Sequence, residues 1–180
     1  MATSVIIVPG NGCTPVRACN WYGWLHKKLQ EAGHKAVLRD MPDPYEAKEK
    51  IWLPFMREMG ADENAVIVGH SSGAEAAMRL IETDRVRGVC LVAACHTDLG
   101  IASETVSGYY SRPWQWERMR ANAGWVSQFL DERDCFIPAE EGRHVAESLG
   151  TELIVASRGD HFMVPEFPEL LDHLLGKLAA

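Results

Sequence analysis

Five residues in the middle of the chain, Gly69-His70-Ser71-Ser72-Gly73, read G-x-S-x-G. Ahead of them runs Ala65-Val66-Ile67-Val68, short, apolar and β-branched; after them Ala74–Ile81 is rich in helix formers. Strand, sharp turn, helix is the context in which this pattern lifts a serine hydroxyl clear of the carboxyl end of a strand as a nucleophile. Such a turn strains the serine backbone, and glycines two before and two after remove side chains that would collide across it. The plainer alternative is a strand-to-helix turn of a Rossmann-like domain, with Ser71 or Ser72 as a helix N-cap. The two readings differ in what else the chain must supply.

A serine nucleophile needs a base, and the base needs an orienting acid, here expected in the chain order Ser, Asp or Glu, His. After the apolar run Val126–Phe129 comes Leu130-Asp131-Glu132-Arg133-Asp134-Cys135-Phe136-Ile137-Pro138. Asp134 opens a D-x-x-I-P segment that can pin the loop and fix a carboxylate, whereas Asp131 and Glu132 read as solvated turn charges. Asp134 is therefore the expected acid, with Asp131 the alternative. The last apolar run, Glu152–Val155, leads through Ser157-Arg158-Gly159-Asp160 to His161, where the base should sit. His96 is the rival; His26, His34, His144 and His173 fall in or beside helices, and His70 should point away from its neighbour Ser71. Two backbone N–H groups must meet the developing oxyanion. Ser72 supplies one, and the Gly-rich turn Pro9-Gly10-Asn11-Gly12 supplies the other, through Asn11 or alternatively Gly12. The same turn lacks the third glycine and the G-K-[ST] of nucleotide loops, so it does not read as a phosphate site.

These groups need a scaffold, and the chain alternates strand and helix from end to end. Strands are expected at Val5–Val8, Lys35–Leu38, Ala65–Val68, Gly88–Ala93, Val126–Phe129 and Glu152–Val155. They are continuous apolar runs, as in a sheet covered on both faces. Helices are expected at Trp21–Ala32, Tyr45–Met59, Ser72–Thr83, Pro113–Asn122, Glu140–Leu149 and Phe167–Leu178, with Cys95–Arg112 as one long irregular stretch. Residues 1–180 thus read as a single α/β domain: a doubly wound, mostly parallel six-stranded sheet flanked by helices. At 180 residues there is no room for a large cap domain.

The bulk numbers narrow the function classes. The chain is 47% hydrophobic and 24% charged, with a net charge of −7. That balance argues against nucleic acid and anionic membranes as partners. No apolar stretch reaches the length of a membrane span. The N-terminus lacks a basic region and cleavage site, and five cysteines without a C-x-x-C read as free thiols, so a cytoplasmic location is expected. No His/Cys/carboxylate spacing suggests a metal.

With these residues placed, the chain resembles the retinoblastoma-binding protein 9 family, small lidless serine hydrolases of the α/β-hydrolase superfamily. The similarity runs over essentially the whole length. It is carried by Val8-Pro9-Gly10-Asn11-Gly12, Trp21-Tyr22-Gly23-Trp24, Ile51-Trp52-Leu53-Pro54-Phe55-Met56, Gly69–Ala74 and Arg112-Pro113-Trp114-Gln115-Trp116-Glu117. The resemblance implies a minimal α/β-hydrolase fold and a triad of Ser71, Asp134 and His161. It also implies small ester or aminoacyl substrates; a shallow site suits small esters or amides of small amino acids, and the triad chemistry needs no metal or cofactor. The family's L-x-C-x-E segment for the retinoblastoma protein is degraded here to Met59-Gly60-Ala61-Asp62-Glu63, so that partner does not carry over. Cys135 replaces the proline usual after the acid. Without a cap the site is expected to be shallow, with Tyr109, Tyr110, Trp114 and Trp116 either at its rim or packing the fourth helix on the sheet. The alternative to an enzyme is a protein-interaction module with a vestigial triad.

Overall fold

The structure, a computed structural model, describes residues 3–179. Six strands form one sheet: β1 (Ser4–Val8), β2 (Lys35–Val37), β3 (Ala65–His70), β4 (Gly88–Val92), β5 (Val126–Asp131) and β6 (Glu152–Ala156). The order is β2-β1-β3-β4-β5-β6 and every pair is parallel. The described helices are α1 (Tyr22–Glu31), α2 (Glu49–Glu58), α3 (Ser72–Leu80), α4 (Ala102–Ser107), α5 (Trp116–Asn122), α6 (Ala139–Leu149) and α7 (Pro168–Ala179).

Successive strand residues point to opposite faces, and both faces are covered. Val5 and Ile7 join Leu25 and Leu29 of α1 and Leu170 and Leu174 of α7 in one core. Ile6 and Val8 join Trp52 and Met56 of α2, Met78 of α3 and Val145 of α6 in the other. This explains why the strands read as unbroken apolar runs: every residue of β1, β3 and β4 is buried.

The expected elements are present, with three local corrections. The second helix starts at Glu49 rather than Tyr45, because Ala47 has a positive φ of 49° and the Asp43 carboxylate takes the Lys48 N–H, at 3.3 Å. The helix expected from Pro113 begins at Trp116; the Pro113 carbonyl and the Gln115 N–H are tied instead to Arg79 and Glu82. The stretch 95–112 is not irregular throughout but contains α4.

The strand order changes direction at β1, whose neighbours are β2 on one side and β3 on the other. A crevice opens at the carboxyl ends of strands at such a switch point, and ligands bind there. Val8 pairs in register with Gly69, so the turn after β1 lies against the turn after β3. On the far side Asp131 pairs with Ala156, which brings the loops after β5 and β6 together.

Candidate active site

Ser71 takes φ 52° and ψ −125°, a strained conformation for a residue with a side chain. Its N–H is anchored to the Val92 carbonyl at 2.9 Å. A Cβ on Gly69 would stand 2.3 Å from the Gly73 carbonyl oxygen, and one on Gly73 would stand 2.3 Å from that of Val8. Both positions therefore require glycine for space. Ser71 occupies the N-cap position of α3 but makes no capping hydrogen bond, and its side chain has no other hydrogen-bond partner among the described residues. The plain helix-cap reading of this turn therefore fails.

Asp134 and His161 meet across the β5 and β6 loops, with His161 Nδ1 2.7 Å from Asp134 Oδ2. Asp134 Oδ1 accepts the Phe136 and Ile137 N–H groups at 2.8 and 2.9 Å, so the D-x-x-I-P loop does fix this carboxylate. Burial would raise the Asp134 carboxyl, but the His161 bond and these two N–H groups outweigh it and hold it below the usual range. An ionised Asp134 facing Nδ1 places the imidazole proton there and leaves Nε2 as the acceptor. His161 has φ 54°, a left-handed backbone, and lines the same cavity as Ser71.

Asp131 corrects the sequence reading. It is not solvated but 1% exposed. Its Oδ1 accepts N–H bonds from Arg133 (3.1 Å) and Arg158 (2.8 Å), and its Oδ2 from Gly159 (2.6 Å) and Asp160 (3.3 Å). Those four bonds overcome the effect of burial and keep the carboxyl low. Asp131 is thus the clasp between the loop bearing Asp134 and the loop bearing His161. Glu132 is exposed, as expected. His96, the rival base, lies outside the cavity, 2.7 Å from Glu141 and stacked on His144.

Of the oxyanion candidates, Gly12 is removed because its N–H donates to the Pro44 carbonyl at 2.7 Å. The Asn11 and Ser72 N–H groups have no acceptor among the described residues. The two turns approach closely: a Cβ on Gly10 would come 3.4 Å from that of Ser71.

Ser71, His161 and Asn11 border a cavity of about 310 Å³. Its wall includes Leu99, Ile101, Ile137 and Met163, together with Tyr110. The aromatic rim is otherwise displaced. Tyr109 is fully buried in the core, Trp114 lies over the Arg79 guanidinium (3.7 Å) and Trp116 stacks on Trp114 (5.8 Å between ring centres). None of these three lines the cavity. The exposed Phe136 takes the rim position instead, its ring edge-on to that of His161. α4 covers one side, so the site is a partly enclosed cavity rather than a shallow cleft.

Two lining carboxyls were missed by sequence reasoning. Glu75 is 1% exposed, and its Oε1 accepts the Cys95 N–H at 2.9 Å. Burial, with Glu104 nearby, pushes its carboxyl well above the usual range. Glu104 accepts the Asn11 side-chain amide at 3.4 Å and is also raised by burial. A signal for Glu75 existed: it stands in the first turn of α3, directly after the serine turn, as the one charged residue in the otherwise small-residue run Ala74–Ala77. Met59, the first position of the degraded partner segment, is buried in the core. Among the described residues no helix is long and apolar enough to cross a membrane.

Residues 5–169 match the family model described as serine hydrolase. The serine hydrolase RBBP9 of Rattus norvegicus is 46% identical over 171 residues, covering 94% of this chain and 92% of the relative. Among solved structures, the ydeN gene product of B. subtilis superposes with a TM-score of 0.88 over 100% of both chains at 21% identity. A structure from work on carboxylesterases of Nitrososphaera gargenis does so with a TM-score of 0.74, covering 99% of this chain and 90% of that one at 15% identity. The last two likenesses speak to the fold, and the family match and the rat relative speak to descent. Together with the strained serine turn and the paired Asp134 and His161, they establish that this chain belongs to the serine hydrolase family, alongside RBBP9.

Proposed function

We propose that the protein hydrolyses small carboxylic esters or amides, aminoacyl ones included, through a triad of Ser71, His161 and Asp134 and an acyl-enzyme intermediate. The observation that carries this reading is the convergence at one cavity of a strained, uncapped serine and an imidazole held by a buried carboxylate at 2.7 Å. In this scheme His161 Nε2 takes the Ser71 hydroxyl proton as Oγ attacks the carbonyl carbon. Asp134 stabilises the imidazolium through Nδ1, and the N–H groups of Asn11 and Ser72 receive the oxyanion. His161 then protonates the leaving alcohol or amine. Water adds to the acyl-enzyme by the reverse path, returning its proton through His161 and releasing the acid.

A cavity of about 310 Å³ is at the low end for small-molecule sites and favours a compact acyl group over a long lipid chain. Its apolar wall favours an uncharged acyl side chain. The test is labelling by a fluorophosphonate probe and hydrolysis of a p-nitrophenyl ester panel, each with a Ser71→Ala control. Both signals should vanish in the variant while the circular dichroism spectrum is kept. Undiminished hydrolysis by Ser71→Ala would overturn the assignment. Absence of hydrolysis by the wild type across esters, amides and thioesters would favour an interaction module.

A further inference from the structure

Beneath the site runs a chain of buried hydrogen bonds that the triad mechanism does not use. The Gly10 N–H donates to the Tyr22 hydroxyl oxygen at 3.0 Å, and the Asn20 amide does so at 3.3 Å. The Tyr22 hydroxyl lies 2.6 Å from His70 Nδ1, and His70 Nε2 lies 2.9 Å from the His161 carbonyl oxygen. Tyr22 is fully buried and His70 is 2% exposed.

The proton positions follow from chemistry. A carbonyl oxygen only accepts, so His70 Nε2 carries a proton. Burial, with the charge of His161 nearby, lowers the His70 pKa to about 3, so the ring is neutral at any working pH and Nδ1 is an acceptor. The Tyr22 hydroxyl therefore donates to Nδ1, and its oxygen is free to accept from Gly10 and Asn20. Burial keeps that hydroxyl protonated well above the ordinary tyrosine range. The run Gly10 N–H to Tyr22 O–H to His70 Nε2–H to the His161 carbonyl has one direction, and every donor on it is spent.

Its ends are informative. Gly10 precedes Asn11, which lines the cavity and whose N–H has no acceptor among the described residues. His70 precedes Ser71. The His161 carbonyl belongs to a residue held at φ 54°, a conformation that needs external support. One rigid path thus joins the three separate loops that must be in register for acyl transfer. Among the described residues, the one free imidazole lone pair at the cavity is that of His161, since both nitrogens of His70 are engaged.

Resting on the hydrolase reading above, we infer that Tyr22 and His70 are positioning residues, which set the distances among the oxyanion N–H of Asn11, the Ser71 hydroxyl and the His161 ring. Tyr22→Phe leaves the Gly10 N–H and His70 Nδ1 without partners but keeps the ring in the core. His70→Leu removes the support under His161. His70→Gln keeps an N–H donor at the position of Nε2.

The experiment measures fluorophosphonate labelling rates and p-nitrophenyl acetate kinetics per titrated active site, on folded wild type, Tyr22→Phe, His70→Leu and His70→Gln. Misplacement of reacting groups by about 1 Å costs on the order of 10²-fold. The expected kcat loss is about tenfold for Tyr22→Phe and about 100-fold for His70→Leu, with KM within about twofold and His70→Gln recovering most of the loss. The acid limb of the kcat/KM profile should keep its midpoint in His70→Gln, because His70 carries no charge there. Wild-type labelling rates and kcat per site in both Tyr22→Phe and His70→Leu would overturn the inference alone. A lost acid limb in His70→Gln would also overturn it, by making His70 the base. If the wild-type signal does not depend on Ser71, the hydrolase reading falls first and the positioning role falls with it.

Discussion

Asp131→Asn tests how the acid and base loops are held together. The carboxylate accepts four backbone N–H bonds, two on each oxygen. An amide at this position has one oxygen and one NH2 group. Whichever way it is turned, the NH2 faces two N–H donors. Two bonds are lost, two donor pairs are left opposed, and the surviving two become neutral. Charge-assisted bonds contribute about 1.5–3 kcal/mol each, while the exposed backbone at Arg133 and Arg158 regains some hydration. The net cost is about 3–4 kcal/mol, which for a chain of this size lowers Tm by about 10 °C. Activity should fall as well, since Asp134 follows three residues after Asp131 and His161 directly follows the Gly159-Asp160 pair that it binds. Fluorophosphonate labelling of Ser71, measured well below the melting transition, is expected to slow by about 10- to 100-fold. The pH dependence has a definite sign. The folded pKa of Asp131 is depressed, so its stabilisation is full above the unfolded carboxylate pKa of about 3.9. It disappears as pH falls through the lower folded value. The gap between variant and wild type should therefore be constant near neutrality and close in acid. Asp134→Asn is the contrasting case. Its amide can still accept the Phe136 and Ile137 N–H groups but donates to His161 Nδ1 and so imposes the wrong tautomer. It should lose about 10⁴ in rate with a much smaller change in Tm. If Asp131→Asn melts within about 2 °C of wild type and labels at the wild-type rate, the clasp is not what holds these loops.

Three further outcomes are expected. Glu75→Gln keeps the acceptor for Cys95 N–H and removes a carboxyl whose folded pKa is raised. An acid of that kind destabilises the fold increasingly as pH rises above its unfolded value. The variant should therefore melt higher than wild type by a margin that grows from pH 5 to pH 8, and a margin that shrinks would contradict the buried neutral carboxyl. Arg79 is fully buried, paired with Glu82, and holds the loop through the carbonyls of Tyr109, Arg112 and Pro113. Lysine lacks the planar fork, so Arg79→Lys should cost about 2–4 kcal/mol in chemical denaturation; a loss under about 0.5 kcal/mol would show that the loop is held otherwise. Gly176→Ala meets nothing within 4 Å on α7 and should stabilise by about 1 kcal/mol, read as a Tm higher by about 2–4 °C.

The α/β alternation was legible because the inner strands β1, β3 and β4 are buried throughout and helices such as α1, α2 and α6 bury one face, so burial writes itself into the sequence as runs and periods. The serine turn was legible because steric demand at Gly69 and Gly73 fixes residue type within five positions. Chain order and the D-x-x-I-P segment then pointed to Asp134, with Asp131 as the alternative, and to His161 among the histidines that could follow. What the sequence did not show is the work of the second carboxylate in that loop. Asp131 looks like a solvated turn charge until β5 extends to residue 131, pairs with β6 and turns that side chain inward. The aromatic cluster at 109–116 was equally unreadable, because a tryptophan packs as well over a buried guanidinium as at a rim, and only the position of Arg79 decides. Gly12 and Asn11 could not be told apart until Pro44, 32 positions further along the chain, took the Gly12 N–H. The chemistry that needs particular residue types at short spacing was determined by the sequence itself. Which of several equivalent groups is satisfied, buried or free depends on partners distant in the chain, and only the tertiary structure brings those partners together.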